Sequence, residues 1–150
     1  MAVDPGTPDG PLAMLERLRR ATNDHDLEAL VACFAPGYRN ETPAHPGRGF
    51  TGRDQVRKNW EQIFRFVPDL TADVLAYTID ADTIWTEWEH RGTRPDGSGH
   101  VMRGVVIFGV RDGLAEWARF FLEPLDDGGG DSGGGVDGAI RRQVAPGLPS

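Results

Sequence analysis

The chain has 150 residues, enough for one domain and one core, since soluble domains mostly fall between roughly 100 and 200 residues. Its formal net charge of -7 repels nucleic-acid phosphates and anionic membrane surfaces, which excludes a general role on DNA, RNA or lipid headgroups and leaves a small ligand as the better partner. The single cysteine, Cys33, cannot form an internal disulfide, and no stretch approaches the ~20 apolar residues that cross a bilayer, so a cytoplasmic protein is expected.

Residues 1–10 are rich in Pro, Gly and Asp, and residues 126–150 contain the run Asp126 to Gly135. Such segments bury too little apolar surface to offset their ordering entropy, so both are expected to be disordered tails around a folded unit of residues 11–125. Pro11 opens a helix with Leu12, Leu15 and Leu18 on one stripe. Asp24 reads as the N-cap of a second helix carrying Leu27, Leu30, Val31 and Phe34, and Pro36-Gly37 ends it. A short extended piece, Tyr38 to Thr42, leads through a Pro- and Gly-containing loop to a third helix. Thr51 should cap that helix, and Val56, Trp60, Ile63, Phe64 and Val67 form its apolar stripe.

From Leu70 the period becomes two. Leu70–Ile79, Thr83–Arg91, His100–Val110 and Leu114–Leu122 read as four strands joined by short turns. Three N-terminal helices followed by a meander predict an α+β fold, a curved antiparallel sheet wrapped around the helices with an internal pocket on the concave side.

Alternate residues of a strand share a face. Trp85, Glu87 and Glu89 therefore point one way and Thr86, Trp88 and His90 the other, while Trp117, Arg119, Phe121 and Glu123 share a face of the last strand. If the first and last sets face the concavity, Arg119 reaches both glutamates. Two carboxylates in an apolar pocket do not both ionise easily, which makes one an acid and the other a base. The same three residues also read as a solvated cross-strand ion pair. Trp88, opposite Trp85, would expose a large aromatic unless covered, which predicts a homodimer through the outer sheet face.

Gly47-Arg48-Gly49-Phe50-Thr51-Gly52 has G-x-G-x-x-G spacing but follows a Pro-containing loop rather than a parallel strand, which argues against a dinucleotide site. His25, His45, His90 and His100 lie on different elements without metal-ligand spacing, so neither a metal nor another cofactor is expected. His45 is the histidine placed to rim the pocket.

The segment Met102 to Gly113 resembles the penultimate strand and Asp-Gly turn of the SnoaL-like branch of the nuclear-transport-factor-2-like (NTF2-like) superfamily, a likeness that covers residues 11–125 and implies a cone-shaped fold. Relatives include polyketide cyclases, limonene-type epoxide hydrolases, ketosteroid isomerases and non-catalytic binding domains. Tyr38-Arg39-Asn40, followed by Pro43, resembles the epoxide hydrolases' water-holding Tyr-x-Asn. Their Arg-x-Asp strand falls on Glu87-Trp88-Glu89, and their final Trp-x-Asp falls on Trp117-Ala118-Arg119 when one turn residue is deleted. The family's acid, arginine, acid order thus becomes Glu87, Glu89, Arg119.

The resemblance implies a cofactor-independent enzyme of the epoxide hydrolase or polyketide cyclase type, acting on a small apolar oxygenated molecule by general acid-base catalysis. Glu87 and Glu89 would transfer protons and Arg119 would orient them. Tyr38, Asn40, His45, Trp60, Trp85, Arg103, Trp117, Phe121 and Glu123 would contact substrate. The alternative is a non-catalytic ligand-binding or dimerisation domain.

Overall fold

A proline in the first helical turn sacrifices no hydrogen bond, and Pro11 opens α1 (Pro11–Asn23) as its position predicts. The computed structural model describes residues 7–125, so of the tails expected over 1–10 and 126–150, residues 1–6 and 126–150 lie outside the described residues. α1 buries Met14, Leu15, Leu18, Ala21 and Thr22 on one stripe. At its C-terminus the Asn23 amide donates to the Ala72 carbonyl at 2.9 Å and accepts from the Ala72 N–H at 2.7 Å, tying the helix to an edge of the sheet.

The second helix is shorter than its apolar spacing predicts. Asp24 ends α1, His25 turns the chain at φ 53°, and Asp26 caps α2 (Leu27–Val31) by accepting from the Ala29 N–H. Phe34, expected on the helical face, instead begins β1 (Phe34–Glu41), where a bond from the Ala115 N–H to the Cys33 carbonyl draws the chain into the sheet. Thr51 is likewise taken by a strand, β2 (Phe50–Thr51). Gly52, at φ 101°, a value open to glycine, then turns the chain into α3 (Arg53–Phe66).

The alternating region forms β3 (Thr71–Asp80), β4 (Thr83–Thr93), β5 (Gly99–Arg111) and β6 (Leu114–Pro124), each end within two residues of its expected place. The sheet has six strands in the order β2-β1-β6-β5-β4-β3. All pairs are antiparallel except β1 with β6, which is parallel and attaches the N-terminal strands to the meander. Register shifts in β3 between Val74 and Ala76, and between β5 and β6 beside Gly109, bend the sheet. Its concave side packs Leu18 and Leu30 of the helices against Phe34, Ile84, Trp88 and Phe108.

α3 is the exception to close packing. Of its apolar stripe only Val56 is buried within the helix, Trp60, Ile63 and Phe64 are half-buried, and Phe66 is 52% exposed. A helix with an apolar stripe and no protein against it stands over a space, and the cavity lies there.

Candidate active site

Strand register decides which side chains reach the cavity. Thr86 pairs with Val106, Trp88 with Gly104 and His90 with Met102, while β6 sets Phe120 and Leu122 beside Val106 and Gly104. This row faces the helices. The neighbouring row, Trp85 with Ile107 and Arg119, Glu87 with Val105 and Phe121, and Glu89 with Arg103 and Glu123, faces the convex side.

The expected convergence of Glu87, Glu89 and Arg119 in the pocket is therefore not what the fold produces. The physical reason is desolvation. Trp88 is only 3% exposed, its indole N–H donates to the Thr86 hydroxyl at 2.8 Å, and that hydroxyl donates to the Val106 carbonyl at 2.6 Å. Thr86 and Trp88 of the inner row thus satisfy their polar atoms without burying a charge, whereas on the outer row Glu87 and Arg119 keep water and the buried Glu89 keeps two guanidinium partners.

Glu89 accepts from Arg91 at 2.6 Å and from Arg103, and these two guanidiniums, Arg91 foremost, hold its carboxyl below the usual carboxylate range. Arg119 pairs with Glu41 at 2.9 Å and lies over the Trp117 ring. Glu87 is exposed, with no ion pair among the described residues. Trp85, Arg103, Trp117, Phe121 and Glu123 share this convex face, and Glu123 bonds to His45 at 2.8 Å. The exposed aromatic is accordingly Trp85, at 48%, and not the Trp88 that the outer-face expectation named.

Two of the expected contacts do line the cavity, Asn40 and Trp60, and Tyr38 stands behind Asn40. The cavity holds about 500 Å³, within the range of small-molecule sites. Trp60, Ile63 and Phe66 of α3 form one wall, and Met102, Phe120 and Leu122 of the sheet form the other. A narrow apolar extension continues inward past Trp88 and Phe108. The only ionisable groups among the described lining residues are Arg48, His90 and His100, and no carboxylate is among them.

His90 lies near Trp60, with ring centroids 6.1 Å apart, and meets Trp88 edge-on at 5.8 Å. Burial, and then the nearby His100, pull its pKa from 6.5 down to about 4, so it is a neutral imidazole at neutral pH. Burial, and then Arg94, also lower the pKa of His100, whose Nδ1 is buried without a hydrogen-bond partner among the described residues. At the other side of the cavity the Tyr38 hydroxyl donates to Asn40 Oδ1 at 2.8 Å; burial raises the Tyr38 pKa and keeps that hydroxyl a donor. His25 has a structural place instead, stacked on Phe64 at 4.4 Å and bonded to the Leu70 carbonyl at 2.8 Å. Among the described residues no group of three or more His, Cys, Asp or Glu side chains is arranged to hold a metal ion.

His90 and His100 are the functional candidates that the residue-level reading passed over. Charge was the available signal. The row Ile84, Thr86, Trp88, His90 carries one ionisable group, whereas Trp85, Glu87, Glu89, Arg91 carries three charges, and the less charged row belongs inside.

A helix-wrapped, curved sheet around a side cavity is also what comparison with known families returns: the SnoaL-like domain matches residues 15–119. The chain belongs to the SnoaL-like domain family. No curated protein sequence matches this SnoaL-like chain significantly. Among solved structures it is similar to IdmH, a candidate polyketide cyclase from Streptomyces antibioticus, at 26% identity and a TM-score of 0.66, covering 75% of this chain and 91% of that one. A candidate ketosteroid isomerase from Kribbella flavida matches at 19% identity and a TM-score of 0.60, over 92% of this chain and 89% of that one. Rv0760c from Mycobacterium tuberculosis, solved in complex with estradiol-17β-hemisuccinate, matches at 21% and 0.64, over 73% and 91%. These last two likenesses concern the fold alone. With the NTF2-like architecture in place, the family and its neighbours support a small-molecule enzyme or binding role.

Proposed function

We propose that this SnoaL-like chain is a cofactor-independent enzyme that moves protons on an apolar carbonyl compound, of the cyclase or isomerase type, with His100 as base and His90 as hydrogen-bond donor. The observation that carries the reading is a pair of imidazoles, His90 and His100, lining a largely apolar cavity with no carboxylate among the described lining residues. Polar groups set in an apolar wall suit a ligand that supplies their hydrogen-bond partners.

His100 removes a proton from the carbon next to a carbonyl, and the electron pair moves to the carbonyl oxygen, where the neutral His90 N–H donates. The enolate then attacks a second carbonyl, closing a ring, and the new alkoxide recovers the proton from the His100 imidazolium. In an isomerisation the same proton returns to a different carbon. Neither route consumes a proton or an electron. Epoxide opening would need an acid beside the attacking water, and no described carboxylate lines the cavity, so the cyclase or isomerase type is favoured over the hydrolase. IdmH, described as a candidate polyketide cyclase, supports the same choice.

Deuterium exchange at the α-carbons of 2-tetralone, followed by NMR, tests the first proton transfer without requiring the native substrate. The full chain should accelerate exchange, His100→Gln should lower the rate by about 100-fold or more, and Glu87→Gln should leave it unchanged. Binding without accelerated exchange would return the chain to the non-catalytic binding reading.

A second copy of the chain is proposed to cover the convex face, where Trp85 and Phe121, 48% and 40% exposed, flank Val105 and Ile107. Glu87 on β4 and Arg39 on β1, each without an ion pair among the described residues, stand on opposite flanks of that strip. A two-fold arrangement sets each against the other's flank. A cytoplasmic location fits the lone, buried Cys33.

A further inference from the structure

The cavity has two chemically different ends, and the mechanism above uses only one. At the β4–β5 end stand the two imidazoles. At the β1 end the polar groups lining the cavity are Asn40, Thr42 and the Arg48 guanidinium. Arg48 sits in the turn Pro46–Arg48, which the pairing of Asn40 with Phe50 brings against β1. Its guanidinium has no ion pair or hydrogen bond among the described residues, although the chain as a whole carries a net charge of -7.

The Tyr38 hydroxyl fixes how Asn40 presents its amide. Because Tyr38 donates to Oδ1, the amide oxygen is engaged behind the cavity wall and the Nδ2 hydrogens are left for a ligand. This end of the cavity therefore offers an amide N–H2, a hydroxyl and a guanidinium, with no carboxylate among the described lining residues and the neighbouring Glu41 turned to Arg119. Such a set suits the planar, two-oxygen geometry of a carboxylate.

We infer that the ligand of this cavity is an elongated apolar molecule bearing a carboxylate or similarly charged oxygen group, held by Arg48, Asn40 and Thr42, at the end away from the carbon that loses its proton. The inference rests on the small-molecule reading of the same cavity and adds the charge and length of its occupant. Length follows from the sheet order. The base His100 is on β5, and β6 lies between β5 and β1, which sets the two ends roughly 10 Å apart across the sheet, before any offset along the strands. Arg48 is then a specificity-determining residue that selects charged over neutral ligands.

Calorimetric titration of the full chain with two matched pairs of probes tests this: estradiol-17β-hemisuccinate with its methyl ester, and anthracene-2-carboxylate with anthracene-2-carboxamide. In at least the longer pair the acid should bind about tenfold more tightly than its neutral counterpart. Arg48→Gln should abolish that preference by weakening the acid alone, and Arg48→Lys should restore part of it. Equal binding of acid and neutral probe, or a preference that survives Arg48→Gln, overturns the carboxylate site while leaving the pocket reading intact. No binding by any of the four probes overturns the pocket reading and this inference with it.

Discussion

His90 makes the chain's stability depend on pH in a direction that follows from its burial. Its pKa in the fold, about 4, lies below its ordinary value of 6.5, so the unfolded chain binds the proton more readily. The stabilisation is complete above about pH 6.5, declines as pH falls towards 4, and declines no further on this group's account below that. The gap is worth roughly 3 kcal/mol by linkage. Urea unfolding at pH 7.5 and pH 4.5 should show the wild-type midpoint dropping, and His90→Asn should remove most of that drop; an equal drop in both proteins would mean that His90 is not the buried group responsible. Glu89 gives the opposite kind of test. Its carboxylate is clamped by Arg91 and Arg103 on the convex face, so Glu89→Gln should lower the unfolding midpoint but leave deuterium exchange on 2-tetralone at the wild-type rate. Loss of exchange with unchanged stability would restore Glu89 to the catalytic role first expected of it.

At the scale of elements, the cavity depends on how tightly the sheet bends and how far α3 stands from it. A Cβ added at Gly104 would lie 2.1 Å from the Phe121 carbonyl oxygen, so β5 and β6 approach there only because the side chain is absent. Gly104→Ala should destabilise the fold by about 2–4 kcal/mol and widen the cavity mouth, measurable as a lower thermal midpoint together with weaker probe binding. The four strands of the meander and α1 were legible from local periodicity, because a run of alternating or three-and-four spacing carries its own address. α2 was not, since Phe34 fits a helical stripe equally well until its pairing with Ala115 places it in β1. β2 was missed for a similar reason. Two residues are too few to show a period, and only the partners Arg39 and Asn40 make Phe50 and Thr51 a strand.

For the whole molecule, the convex face carries the prediction of a dimer. Light scattering across the working concentration range should return twice the chain mass, and Trp85→Glu should return a single chain with its fold preserved by circular dichroism. A wild-type monomer mass throughout would remove the second copy from that face. The sequence by itself determined the class of this protein, its α1 and α3, its meander and its SnoaL-like kinship, because these follow from periods and motifs contained in short stretches of chain. It also determined that Glu87 and Glu89 lie together on one face and Trp88 and His90 on the other. Only the tertiary structure decided which of those faces is concave. Strand parity defines two faces, the lower charge of the Trp88 and His90 row only favours it for the inside, and the choice is made by the packing of α1 and α3 and the parallel pairing of β1 with β6. That choice moved the candidate chemistry from a pair of glutamates to a pair of histidines.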